Sequence, residues 1–207
     1  MLPTPATSNV PVVIGILALQ GAYEAHVRML DVIGAKHRLV RTAADLQTVD
    51  GLIVPGGEST TMLHQLQQEE GLWQALLAFV HQYPCLGTCA GLIVLAQQVQ
   101  PPQASLGALQ VRVQRNAYGR QRESRVTTAS TALAGGPIEV VLIRAPRIVA
   151  WGADVQILAQ CDGDPVLVQQ GRVMGCSFHP ELGKDTRIHT RLLQACEAVK
   201  MSPASGS

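Results

Sequence analysis

Short apolar runs alternate with helical stretches through the first half of the chain, and that alternation leaves few folds open to it. Val12 to Leu19, bounded by Pro11 and Gly21, suits a strand buried on both faces. Ala22, Ala25, Met29, Leu30 and Ile33 then recur at spacings of three and four, with Gly34 placed to end a helix. Lys36 to Val40 and Gly51 to Val54 read as strands, Pro55-Gly56-Gly57 as a turn, and a helix is expected from Ser59 or Thr60. Leu72 to His81 reads as helix, Pro84 to Leu86 as a short strand, and Gly87 to Gly91 leads into a helical stretch ending near Gln97. Strands and helices in this order build a doubly wound α/β fold around a mostly parallel sheet.

From Leu106 to Phe178 the pattern changes. Short β-branched runs (Val111 to Val113, Ile138 to Ile143, Val155 to Leu158, Val166 to Val168) separated by turn residues predict a β-rich, partly antiparallel extension. A last helix is expected over about Thr186 to Val199. Residues 1–11 and 201–207 are too poor in apolar groups to offset the entropy of ordering, so both ends are expected to be disordered around one domain spanning 12–200. A chain of 207 residues suits one such domain.

Composition removes several function classes. Sixteen Lys plus Arg against fifteen Asp plus Glu give a formal charge of +1, without the basic excess that phosphate backbones require. No apolar run approaches the ~20 residues of a membrane span, and Met1 to Pro11 lacks the basic start of a secretory signal, so a cytoplasmic location is expected. The five cysteines form no CxxC pair, and an odd number does not suit a disulfide framework.

Chemistry concentrates in three places. Gly87-Thr88-Cys89-Ala90-Gly91 is a G-x-C-x-G pentapeptide between a predicted strand and a predicted helix, the setting of a nucleophile elbow. There the sulfur would be lifted out of the sheet toward the positive end of a helix, and the Ala90 N–H would face a forming oxyanion. A small buried Cys in a Gly-rich turn would look the same. Ser177-Phe178-His179-Pro180-Glu181 supplies partners: Pro180 excludes His179 from the α region, and in an extended chain 179 and 181 project to one side. Cys89, His179 and Glu181 could then act as nucleophile, proton carrier and orienting carboxylate. Gly56 and Gly57, with the polar Glu58-Ser59-Thr60 after them, close a buried strand at the end where open α/β sheets bind ligands.

Arg112, Arg115, Arg120, Arg122 and Arg125 crowd one β-rich stretch, where one could hold a carboxylate while the others form a solvated or docking face. Only Tyr118 interleaves with them, too few aromatics for a nucleic-acid platform. Cys176 and His179 have C-x-x-H spacing without a second ligand pair, so no metal site is expected. Cys85, Cys161 and Cys196 read as core thiols. His26, His37, His64, His81 and His189 show no partner pattern and receive no role.

Taken together these blocks resemble the class I (triad) glutamine amidotransferases, and within them the glutaminase subunits of two-subunit pyridoxal 5'-phosphate synthases. The resemblance rests on Leu19-Gln20-Gly21, Pro55 to Thr61, Gly87 to Ile93, Arg115-Asn116-Ala117-Tyr118-Gly119-Arg120-Gln121, Ile143-Arg144-Ala145-Pro146 and Gly175 to Glu181, and runs from about Ile14 to Lys200. It implies a flavodoxin-like, doubly wound, mostly parallel sheet with a β-rich antiparallel extension. It implies Cys89, His179 and Glu181 as the triad, oxyanion N–H groups from Gly57 and Ala90, and glutamine contacts from Gly57, Glu58, Ser59, Arg115, Ile143 and Arg144. The implied reaction hydrolyses L-glutamine to L-glutamate and ammonia through a γ-glutamyl thioester, with no cofactor. The ammonia would pass to a (β/α)₈ synthase subunit for vitamin B6 biosynthesis, which makes pyridoxal phosphate a pathway product. A glutaminase serving another synthase, such as that of histidine biosynthesis, and a non-catalytic thiol sensor on the same scaffold are the rival readings.

Overall fold

A computed structural model of the chain describes residues 11–115 and 124–202. Of the ends expected to be disordered, 1–11 and 201–207, residues 1–10 and 203–207 lie outside the described residues, as does the Asn116 to Gln121 block with Tyr118, Arg120 and Arg122. Met201, by contrast, is ordered as the end of the last helix.

The expected alternation is present. β1 (Val13–Leu17), α1 (Tyr23–Val32), β2 (Lys36–Val40), α2 (Ala43–Leu46), β3 (Gly51–Val54), α3 (Ser59–Gln68), α4 (Leu72–Phe79), β4 (Cys85–Thr88) and α5 (Ala90–Leu95) follow one another. β1 pairs in parallel with β2 and β3, and β3 with β4. Alternate side chains of β3 enter opposite cores: Leu52 and Val54 pack with Leu66, Leu76 and Leu92, whereas Ile53 packs with Ile14, Ile16, Leu30 and Ile188. Burial on both faces is why the sequence of β3 shows a solid apolar run and no polar alternation.

The second half supplies β5 (Ala96–Gln100), β6 (Leu109–Gln114), β7 (Ser124–Thr131), β8 (Ile138–Ile143), β9 (Arg147–Trp151), β10 (Gln156–Cys161), β11 (Asp164–Gln170), β12 (Val173–Cys176) and α6 (Arg187–Met201). Among the described residues the main sheet runs β2-β1-β3-β4-β12-β11-β10-β7-β8, and β5-β6-β9 form a smaller sheet. β12 pairs in parallel with β4, Gly175 opposite Gly87 and Cys176 opposite Thr88, while β11, β10, β7 and β8 continue antiparallel. The 2-1-3-4 order plus β12 is thus the flavodoxin-like arrangement, with its fifth parallel strand delivered from far along the chain.

Three expectations need correction. The helix after Cys89 stops at Leu95, because Ala96 turns extended (φ −62°, ψ 152°) and β5 pairs with β6. An unbroken apolar run cannot tell the end of a buried helix from the start of a strand. α2 was not expected, although Thr42 and Asp45 form a complete capping box at its start. The His179-Pro180-Glu181 segment is not extended: Pro180–Leu182 is a 3₁₀ turn, with Pro180 at its first position.

Candidate active site

β3, β4 and β12 end at one rim of the sheet, and each hands over a loop that carries chemistry. Cys89 stands between β4 and α5 at φ 49° and ψ −104°, a conformation side chains rarely adopt and the signature of a nucleophile elbow. Its N–H donates to the Cys176 carbonyl at 2.9 Å, which ties the elbow to β12. A Cβ on Gly91 would collide with the Val54 carbonyl oxygen, so only glycine lets α5 cross β3 this closely. α5 starts at Ala90, and the first N–H groups of a helix have no partner within it. Cys89 is 6% exposed, with Sγ 3.8 Å from the Ile143 carbonyl oxygen.

His179 lies at φ −107° and ψ 84°, outside the α region as Pro180 requires. Its N–H donates to the Val141 carbonyl of β8 at 2.9 Å, and its Nδ1 meets Glu181 Oε1 at 2.7 Å. The 3₁₀ turn achieves this meeting by folding 181 back, where an extended chain would have relied on parallel projection. Burial alone would lower the His179 pKa, but hydrogen bonding and charge from the Cys89 sulfur and Glu181 outweigh it and lift the imidazole to about 10. A Cβ on Gly56 would stand 2.5 Å from His179 Cε1, so glycine there makes room for the ring.

These groups face a cleft of about 450 Å³ whose lining includes every residue expected to touch substrate: Gly57, Glu58, Ser59, Arg115, Ile143 and Arg144, with Cys89, Ala90 and His179. Glu58 also has local work. Its carboxylate caps α3, accepting from the Thr60 N–H at 3.0 Å and the Thr61 N–H at 2.7 Å. Burial opposes its ionisation, yet those amides and the Thr61 hydroxyl hold its pKa at about 2. Arg115 is anchored by Gln103 Oε1 and by Thr60 Oγ1 at 3.1 Å, with Glu58 Oε1 at 3.9 Å. Arg144, like Cys89, has a positive φ, 45°. Cys176 does not reach the cleft as a ligand; its Sγ is wholly buried and donates to the Phe178 carbonyl at 3.4 Å. Cys85, Cys161 and Cys196 are buried, and burial pushes the Cys196 thiol up to about 12.

With that geometry in place, the chain matches the family model described as the SNO glutamine amidotransferase family over residues 16–198. The chain belongs to the SNO glutamine amidotransferase family. Relatives of this family include the pyridoxal 5'-phosphate synthase subunit PdxT of Koribacter versatilis, 50% identical over 87% of this chain and 94% of that protein. That of Fervidobacterium nodosum is 42% identical over 89% and 97%. A crystal structure described as a glutamine amidotransferase superposes with a TM-score of 0.83 at 39% identity, covering 89% of this chain and 98% of that one. A Thermoplasma acidophilum structure at 18% identity, TM-score 0.68, covering 91% and 95%, shares the fold.

Sequence reasoning missed four side chains around this SNO-family site. Gln20 bridges the Gly57 loop, donating to the Glu58 carbonyl at 3.2 Å and accepting from its N–H at 3.4 Å. Gln103 holds both Arg115 and Ser59. His26 and His189 meet behind Glu181, Nδ1 to Nε2 at 2.9 Å. One signal was available for this pair: each sits among the apolar positions of its helix, His26 beside Ala25, Met29 and Leu30, and His189 beside Ile188, Leu192 and Cys196.

Proposed function

We propose that this chain is the glutaminase subunit of a pyridoxal 5'-phosphate synthase, with residues 12–200 as one amidotransferase domain acting in the cytoplasm. The observation that carries the reading is a strained cysteine at a strand-to-helix elbow facing the same cleft as His179, whose Nδ1 is held by the buried Glu181 carboxylate at 2.7 Å. The cleft holds the glutamine, with Arg115 held by Gln103 and Thr60 so that its guanidinium is fixed before a carboxylate arrives. Gly57, Glu58, Ser59, Ile143 and Arg144 complete the contacts with substrate.

Cys89 attacks the carbon of the side-chain amide, and the N–H groups of Ala90 and Gly57 receive the oxyanion. His179 gives its proton to the departing ammonia, leaving a γ-glutamyl thioester. Water then attacks the thioester; His179 takes the water's proton, and glutamate leaves as the thiolate re-forms. Glu181 fixes the imidazole's orientation and stabilises its cation. The ammonia passes to a (β/α)₈ synthase subunit.

The names of the relatives favour this synthase over that of histidine biosynthesis. A thiol sensor has no use for an acid aimed at a leaving amine, which the buried 2.7 Å His–Glu pair provides. The test is glutamate release from L-glutamine by the chain alone and with a synthase subunit. Release that rises with the synthase and vanishes in Cys89→Ala supports the reading; release that survives Cys89→Ala in a folded protein ends it.

A further inference from the structure

Glu181 has two carboxylate oxygens, and His179 engages one. The other, Oε2, is buried without a hydrogen-bond partner among the described residues, and His26 Nε2 lies 3.5 Å from it. His26, from α1, is wholly buried. Its Nε2 also lies 3.2 Å from Thr88 Oγ1, and its Nδ1 is 2.9 Å from His189 Nε2 on α6. Four separate elements therefore send one polar side chain each into a dry space behind the triad, where polar groups are costly unless they serve one another.

The protonation pattern follows from what the Glu181 carboxylate tolerates beside it. If His26 carried its proton on Nδ1, its Nε2 lone pair would face the Glu181 carboxylate, and His189 would bury an N–H at Nδ1 with nothing to receive it. With the proton on Nε2, His26 offers a donor to Glu181 and Thr88, and His189 Nε2–H donates to His26 Nδ1. His189 Nδ1 is then an unpaired acceptor and the Thr88 hydroxyl proton lacks an acceptor, so each tautomer leaves one donor unpaired. The carboxylate decides, because only a proton on Nε2 spares Glu181 Oε2 a lone pair at 3.5 Å.

We infer that His26 is a positioning residue: its Nε2–H edge, hydrogen-bonded to Thr88 and 3.5 Å from the second oxygen of Glu181, steadies that carboxylate electrostatically, and His189 holds His26 in the tautomer that makes this possible. The inference rests on the triad reading above. A neutral imidazole suits the task, because a cation there would cancel the charge that Glu181 must offer to His179. Burial, reinforced by the neighbouring His189 and His179, keeps the His26 pKa well below its usual value, and burial lowers His189 to about 4. Thr88 immediately precedes Cys89, so the same ring touches the strand that presents the nucleophile and the turn that presents its partners.

The test uses the full chain, with His26→Leu and His26→Gln compared by glutaminase kinetics alongside the synthase subunit and by NMR titration of His179. Without the donor, the carboxylate turns away or is neutralised, and either result takes negative charge off His179. His26→Leu should lower kcat by roughly ten- to a hundredfold, the cost of one unsatisfied buried charged group, with KM little changed. The His179 titration should move down by more than one pH unit, and His26→Gln, whose amide N–H can reach Oε2, should restore both. A folded His26→Leu protein with unaltered kcat and His179 titration would overturn the inference, as would a Gln variant no better than Leu. Nitrogen-15 spectra of the wild-type chain test it without mutation: His26 protonated on Nδ1 refutes it. The titration and tautomer do not depend on turnover, so they judge His26 even if glutamate release fails and the triad reading falls.

Discussion

Cys89 holds a backbone conformation that costs about 1–3 kcal/mol in a residue with a Cβ, and the cost is the same for alanine. Cys89→Ala and Cys89→Gly should both abolish glutamate release. They should differ in stability: glycine relieves the strain and loses only about 1 kcal/mol to chain entropy, so urea denaturation should find the Gly variant at least as stable as the Ala variant. A Gly variant clearly less stable would mean that the elbow is unstrained. His179 gives a second measurement. Its pKa is raised in the fold, so the imidazolium's stabilising contribution is complete below pH 6.5 and is lost as pH rises through about 10. Glutaminase activity should fall along the same alkaline limb, as the acid for the leaving ammonia disappears. In Cys89→Ala the His179 titration should move down, because the sulfur is one of the groups that raise it; an unmoved titration would separate the two side chains.

Elements meet at this site through backbone contact as much as through side chains. α5 runs so close over β3 that position 91 has no room for a methyl group, and the obstacle is a carbonyl in a central strand that cannot swing aside. Gly91→Ala should therefore destabilise the protein by about 3 kcal/mol or more, an overpacking cost at the top of the usual range, measured as a shift in the urea midpoint at unchanged m. A change under about 0.5 kcal/mol would show that α5 can lift from the sheet. α3 is fastened differently, by the Glu58 carboxylate over its first turn. Because Glu58 both lines the cleft and caps a helix, the short stretch Gly57 to Thr61 is held rigid where it borders the cleft.

Across the fold, the buried pair His26–His189 couples pH to global stability. Both bases titrate below their unfolded value, so the unfolded chain binds more protons between pH 6.5 and about 4, and stability must fall as pH drops through that window. His189 alone is worth about 3 kcal/mol over the full shift. The groups facing the pair are Thr88, Glu181 and His179. Chemical denaturation from pH 7 to 4 should show the decline, and His189→Leu should flatten it; an equal slope in the variant would assign the acid sensitivity elsewhere. Much of the architecture was legible in order along the chain. The inner parallel strands β1 and β3 announce themselves as apolar runs because both faces are buried, and the elbow is a local pattern whose residue types are tied to its backbone geometry. The His-Pro-Glu segment, by contrast, shows its residue types but not the 3₁₀ turn that folds Glu181 back. The reach of those patterns ends where contact partners lie far apart in sequence. Nothing local to Val173–Cys176 says that it pairs with Cys85–Thr88 and so brings His179 beside Cys89. Nothing local to Gln103 points to Arg115 through space, and two histidines on helices 163 positions apart look idle until packing closes them into one dry pocket. Periodicity and turn chemistry are properties of neighbouring residues, and they set the elements. The pairing of distant polar groups is decided only when the core excludes water and each buried donor or acceptor must find a partner inside it.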